Sequence, residues 1–192
     1  MNALKAMIRR ELQEHKWGFV YLPWIVGAFM SLVVVLVYLG LTEVNTENFK
    51  FSTEAFADST VVQSMNEATF DQRRAAIRAG LLVLGIPLVI ALGFAVLAYS
   101  LSTFFDERKD KSIIFWRSLP VSDSFTVFSK LIVALVVAPL LVIPALLFLH
   151  LVSVTAGSIY FAVSDIVPFT WAWQAYPWLD WIRVIFSLWM QS

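Results

Sequence analysis

Few residues in this sequence have the types and spacing that chemistry requires. His150 is the one ionisable side chain inside the long apolar runs, and a polar ionisable group at membrane depth marks function by default. It falls near the end of its run with Ser153 and Thr155 close by, so the stronger reading is a hydrogen-bonded structural histidine. No GxxxxGK[ST] phosphate loop, HExxH, paired histidine or GxSxG elbow occurs. Nucleotide hydrolysis, metal chemistry and serine hydrolysis therefore lack their minimum parts, and the chain is not expected to be an enzyme by itself. The apolar runs contain no Asp or Glu, whereas proton- and sodium-driven carriers place carboxylates or broken helices at the midplane. If a substrate moves here, the energy comes from elsewhere.

What chemistry remains is concentrated between Asp106 and Lys130, where five basic residues (Arg108, Lys109, Lys111, Arg117, Lys130) meet four acidic ones (Asp106, Glu107, Asp110, Asp123). Inside lies an apolar, aromatic cluster of Ile113, Ile114, Phe115 and Trp116, followed by Leu119 and Pro120. The segment is too short and too charged to form a core, so the cluster needs a surface. That surface is the headgroup layer, the neighbouring spans or a partner protein. For a partner, Glu107, Arg108, Lys109, Asp110 and Lys111, with Ser112 after them, would form a charged rim. Ile114, Phe115, Trp116 and Leu119 would fill a pocket, as aromatic anchors do at interfaces. Pro120 ends the short helix, and Ser122 or Asp123 can cap the next.

The elements that position this segment are membrane helices. The 192 residues are 59% hydrophobic and 15% charged, with mean hydropathy +0.76, against roughly 25% charged residues in soluble domains. Charge-free runs cover 17–42, 79–105 and 131–164, each longer than the ~20 residues that a crossing helix needs. We expect an all-α membrane protein with three full transmembrane helices and the start of a fourth, because VIFSLWMQS at the C-terminus is apolar but short. That ending suggests a fragment. There is no cysteine, so a disulfide framework or thiolate metal site is excluded, and with zero net charge and no basic tail nucleic acid is not an expected partner.

Residues 1–16 read as an interfacial amphipathic helix. Leu4, Met7, Ile8 and Leu12 lie on one face, with Lys5, Arg9, Arg10, Gln13 and Lys16 on the other. Trp17, Tyr21 and Trp24 would form an aromatic belt, and Pro23 would redirect the chain into the first span. The run EATFDQRRAAIRAG predicts a helix that starts outside the bilayer and passes unbroken into the second span. Gly80, Gly85, Gly93 and Pro87 suggest close helix approach there. The third run predicts a span from about Lys130 to Val154, kinked at Pro139 and Pro144. A turn at Gly157 and an aromatic interfacial segment over 161–181 should follow. Nine basic residues in the N-terminus and the 106–130 loop, against five in the other two loops, place the N-terminus and the central loop in the cytoplasm.

The stretch FFDERKDKSIIFWRSLPVSDSFTVFSKL resembles the segment between the second and third spans of bacterial ABC transporter permeases of the type 2 exporter class. The order of elbow helix, span, outer loop, span, central loop and span extends the resemblance over the whole length, as an N-terminal half. The resemblance implies one permease domain over 1–192, with an elbow helix at 1–16 and a cytoplasmic coupling segment at 106–122. In it Glu107 to Ser112 lead into a coupling helix from Ile113 to Leu119, which Pro120 to Ser122 close. It also implies a separate ATP-binding cassette subunit carrying the nucleotide, no cofactor in this chain, a dimer of permease subunits, and a bacterial inner membrane. The alternative is a non-transporting membrane anchor or assembly factor. An intramembrane enzyme has only His150 and scattered serines in its favour.

Overall fold

A computed structural model describes residues 2–40, 44–46, 49–51, 64, 67–109, 123–164, 168–175 and 190. The chain is an all-α membrane protein. Three helical stretches are long and apolar enough to cross a bilayer: Trp17–Tyr38, Phe70–Thr103 and Ser124–Val163. Only 28% of the most apolar window of each is buried inside the protein, and side chains such as Phe29, Leu32, Phe94, Leu97 and Leu140 point outward. Such faces need hydrocarbon rather than water around them. The proposed fourth span falls outside the described residues apart from Met190.

The first helix, α1 (Asn2–Glu14), turns its Leu4, Met7, Ile8 and Leu12 stripe inward. A wide π turn over Trp17–Tyr21 joins it to α2 (Leu22–Tyr38), the Leu22 N–H donating to the Trp17 carbonyl. Pro23 explains the turn. A proline ring clashes with the carbonyl four residues earlier, that of Phe19, and widening the preceding turn gives the ring room. The same arrangement recurs in the third span, where α4 (Asp123–Ile132) leads through a π turn at Val133–Val137 into α5 (Ala138–Val163), just ahead of Pro139. Pro144 is accommodated within α5 and Pro87 within α3 (Phe70–Lys109).

Helix α2 closes on Gly40, whose φ of 69° favours glycine and whose N–H donates to Val37 O. A short antiparallel hairpin follows, β1 (Val44–Thr46) on β2 (Phe49–Phe51), with Asn45 opposite Lys50. Helix α3 starts with a capping box. Thr69 N–H donates to Gln72 Oε1 at 2.8 Å, and Gln72 N–H donates to Thr69 Oγ1 at 3.4 Å. From there α3 is unbroken for 40 residues, about 60 Å against a hydrocarbon core of about 30 Å, so it extends beyond the bilayer.

Two expectations are corrected. Gly157 makes no turn, because α5 continues through it to Val163. Its missing side chain is used for packing instead: a Cβ there would stand 2.9 Å from the Tyr38 hydroxyl. Among the described residues Gly80 and Gly93 are not points of close approach, since a Cβ at either would meet nothing within 4 Å. Past the end of α5, α6 (Thr170–Ala175) lies within the aromatic segment. Its Ala172 and Trp173 pack against Leu81 and Val154 with Ile77, so part of the expected interfacial segment covers protein.

The chain divides into two compact units. The first comprises Met1–Val26, Pro87–Ala145 and Ser192, the second Gly27–Ile86 and Leu146–Gln191.

Candidate functional site

In the first unit α1 presents one acid on its apolar face. Glu11 follows Ile8 by three residues and Met7 by four, so the 3.6-residue repeat carries it inward with the stripe, where its side chain is 9% exposed. A buried carboxylate needs partners. Lys130, near the end of α4 and 6% exposed, places its ammonium 2.9 Å from Glu11 Oε1. The other oxygen accepts from the Tyr99 hydroxyl at 3.0 Å and, more distantly, from Thr103 Oγ1 at 3.5 Å. Tyr99 and Thr103 are four residues apart on α3 and so share a face. Thr103 Oγ1 also accepts from Lys130 Nζ at 3.5 Å. One carboxylate thus joins three helices, and among the described residues this is the only buried ion pair.

Aromatic packing seals one side of this group. The Tyr99 ring meets His15 edge-on at 4.9 Å and Phe19 at 5.1 Å, and Phe19 is 1% exposed. Water exclusion matters because attraction between two charges grows as the effective dielectric falls. Glu11, Glu14 and His15 bring ligand atoms within 4.8 Å of one another. Both carboxylates already have cations, however, Lys130 for Glu11 and Arg10, at 2.6 Å, for Glu14. The cluster is an internal ion-pair network that ties α1, α3 and α4 together.

The segment singled out from sequence enters at α3. Glu107, Arg108 and Lys109 extend that helix to its end, so the first part of 106–122 continues the second span's helix. Asp110, Lys111, Ser112, Ile114, Phe115, Trp116, Leu119 and Pro120 lie outside the described residues, and the chain resumes with α4 at Asp123. Thr103 precedes this segment and Lys130 follows it. Both reach the same carboxylate.

In the second unit His150 is fully buried, its Nε2 3.2 Å from the Leu81 carbonyl. Ser153 nearby is satisfied by Leu149 O at 2.7 Å, the usual local solution for a hydroxyl in an apolar helix. Among the described residues the hydrogen bond of His150 is to a backbone carbonyl and involves no carboxylate or nucleophile. Tyr38 packs on Tyr160 and Phe161 at ring distances of 5.6 and 6.2 Å. Arg73 donates to Ala68 O at 2.9 Å and lies 5.4 Å from the Trp171 ring centre, a cation–π contact.

Glu11 was missed by residue counting. Its signal was present as an acid at a stripe position of an amphipathic helix, where only a buried cation can balance it. No protein-family model, curated protein or solved structure matches this chain.

Proposed function

We propose that this chain is the membrane-spanning permease subunit of an ATP-driven exporter of the ABC type, coupled through residues 106–122 to a separate ATP-binding subunit. The observation that carries this reading is the Glu11 network. The polypeptide leaves the network at Thr103, passes through the charged and aromatic segment, and returns to it at Lys130. A push on that segment would then reach α1, α3 and α4 together, because separating α1 from α4 would strand a buried charge at a cost of about 3–5 kcal/mol and separating α3 would remove the Tyr99 hydrogen bond to the carboxylate, about 1.5–3 kcal/mol. A soluble motor needs such a receiver. The lack of acids in the apolar runs and of a phosphate loop supports an energy source on another chain, and the likeness of the 104–131 stretch to type 2 exporter permeases agrees.

In this reading the N-terminus and the 106–122 segment face the cytoplasm of a bacterium, the membrane is the inner one, and two permease subunits pair. The partner binds through Phe115 and Trp116. Truncating a buried aromatic anchor costs about 2 kcal/mol or more, roughly thirtyfold in affinity, whereas an exposed ion pair contributes under about 1. The test is retention of a co-expressed candidate ATP-binding subunit on the affinity-tagged chain at two salt concentrations. Phe115→Ala and Trp116→Ala should release it. Lys109→Ala and Asp110→Ala should release little, and less still at high salt. Loss in the charge variants alone would make docking electrostatic. Retention by all four would make the segment a connector, and retention without any stimulation of ATP turnover would favour the membrane-anchor alternative.

A further inference from the structure

The two π turns share one sequence register. Each is five residues long, Trp17–Tyr21 and Val133–Val137, and each is followed by one residue and then a proline, Pro23 and Pro139. Each closes through a wide hydrogen bond, Leu22 N–H to Trp17 O and Ala138 N–H to Val133 O. A proline has no N–H to give the carbonyl four residues earlier. That carbonyl belongs to Phe19 in one turn and to Leu135 in the other, the middle residue of each. Helices bend where a rung of the ladder is missing or widened in this way. The helices that lead into the two turns, α1 and α4, are the two that the Glu11–Lys130 pair joins. Lys130 stands three residues ahead of its turn and Glu11 six ahead of its own.

From this pairing we infer that the π turns are matched hinges, on which α1 and α4 rock as one body against α3. The inference does not depend on the exporter reading. Opposite buried charges at 2.9 Å hold α1 to α4, and the second turn lies beside α1. The hydrogen bonds that join this pair to α3 are made with neutral hydroxyls, Tyr99 at 3.0 Å and Thr103 at 3.5 Å. Breaking them leaves each charge its counter-ion, so α3 parts from the pair more readily than α1 parts from α4. After Pro87, α3 contains neither a proline nor a π turn, and it supplies the fixed side. The first turn pivots on it. Gly18 sits close to Ala95, with 3.8 Å between a Cβ on the glycine and that of the alanine, and Phe19 packs on the Tyr99 ring at 5.1 Å. Opening the Tyr99 bond therefore frees α1 and α4 together, and the two turns bend in step.

Amide hydrogen exchange of the full chain in detergent, read by mass spectrometry over residues 17–22 and 133–138, tests the hinges. Deleting Val20 narrows the first turn to an ordinary α turn and should slow exchange there by about fivefold, the value of one backbone hydrogen bond. The second turn, left unaltered, should slow by a similar factor. In the Glu11→Leu/Lys130→Met background the same deletion should slow only its own turn. Pro139→Ala gives Leu135 O a donor without changing the length of the chain, and should produce the mirror result from the other side. It keeps the test decisive if the deletion fails to fold. Tyr99→Phe should quicken both turns by at least about tenfold, the loss of one hydrogen bond to a charge, with residues 92–101 of α3 unchanged. The proposal is overturned if neither the deletion nor Pro139→Ala slows exchange, or if each slows only the turn it alters. It is overturned equally if the cross-effect survives in the Glu11→Leu/Lys130→Met background, or if Tyr99→Phe leaves both turns as they were or quickens α3 along with them.

Discussion

Removing either charge of the Glu11–Lys130 pair should undock α1, whereas removing both should not. At 2.9 Å and an effective dielectric near 20, Coulomb attraction amounts to about 6 kcal/mol, and desolvation of the two ions takes back most of it. The net value of the pair is therefore small, while the cost of an orphan charge is about 3–5 kcal/mol. Lys130→Met leaves Glu11 the Tyr99 hydroxyl at 3.0 Å, and Glu11→Leu leaves Lys130 without its carboxylate. Tyr99→Phe, which removes one hydrogen bond to a charge, should cost about 1.5–3 kcal/mol. The readout is the labelling rate of a thiol introduced at Ile8, half-buried on the inner face of α1, in a chain with no cysteine of its own. Labelling should quicken by roughly two to four orders of magnitude in the single variants, up to the limit of a free thiol, and stay within about tenfold of the parent in Glu11→Leu/Lys130→Met. If the double variant labels as fast as Glu11→Leu alone, the charges are not coupled and the network does not hold α1.

Three further outcomes are expected. Gly157→Ala should lower the thermal midpoint in detergent, at a cost of about 1–3 kcal/mol from the forced shift of Tyr38, and Tyr38→Phe should recover part of it by removing the hydroxyl that the new Cβ meets at 2.9 Å; an unchanged midpoint would refute the contact. His150→Leu should cost about 1 kcal/mol, the loss of one hydrogen bond to Leu81 O, read as a lowered thermal midpoint in detergent, and an unchanged midpoint would refute that contact. Single cysteines at Lys5 and Ala76, both exposed, should be labelled from the cytoplasm and from outside respectively, and the reverse pattern would invert the proposed orientation.

The parts of the fold that were legible in the sequence are those set by one-dimensional patterns. Charge-free runs above the bilayer length gave the three spans, and the inward stripe of α1 was readable at 3.6-residue spacing. Good helix formers after Glu67 announced the early start of α3. What was not legible depends on partners distant in the chain. Glu11 meets Lys130 across 119 positions, and no local window relates them. Gly157 was taken for a turn because the third apolar run is too long for one straight crossing, but the helix runs on through it to Val163 and the absent side chain admits a neighbouring ring, here Tyr38. The hairpin of Val44–Thr46 and Phe49–Phe51 has too few residues for an alternating pattern to show.

The wide turn at Val133–Val137 has a consequence for the phase of the third span. Along one edge of the buried face, which Ser129 and Val133 flank, buried positions step by four three times, Lys130, Ala134, Ala138 and Val142, before a step of three to Ala145. In an uninterrupted α-helix each step of four overshoots a full rotation by about 40°, so three of them would swing the buried edge about 120° into the lipid. The π turn absorbs the excess and acts as one surplus residue inserted into an α-helix. Deleting Leu135 would convert the steps to four, three and four, which an ordinary α-helix matches. A one-residue deletion in a membrane helix normally rotates everything beyond it by about 100°; at this turn it would leave the buried edge aligned and the lipid-facing side where it was.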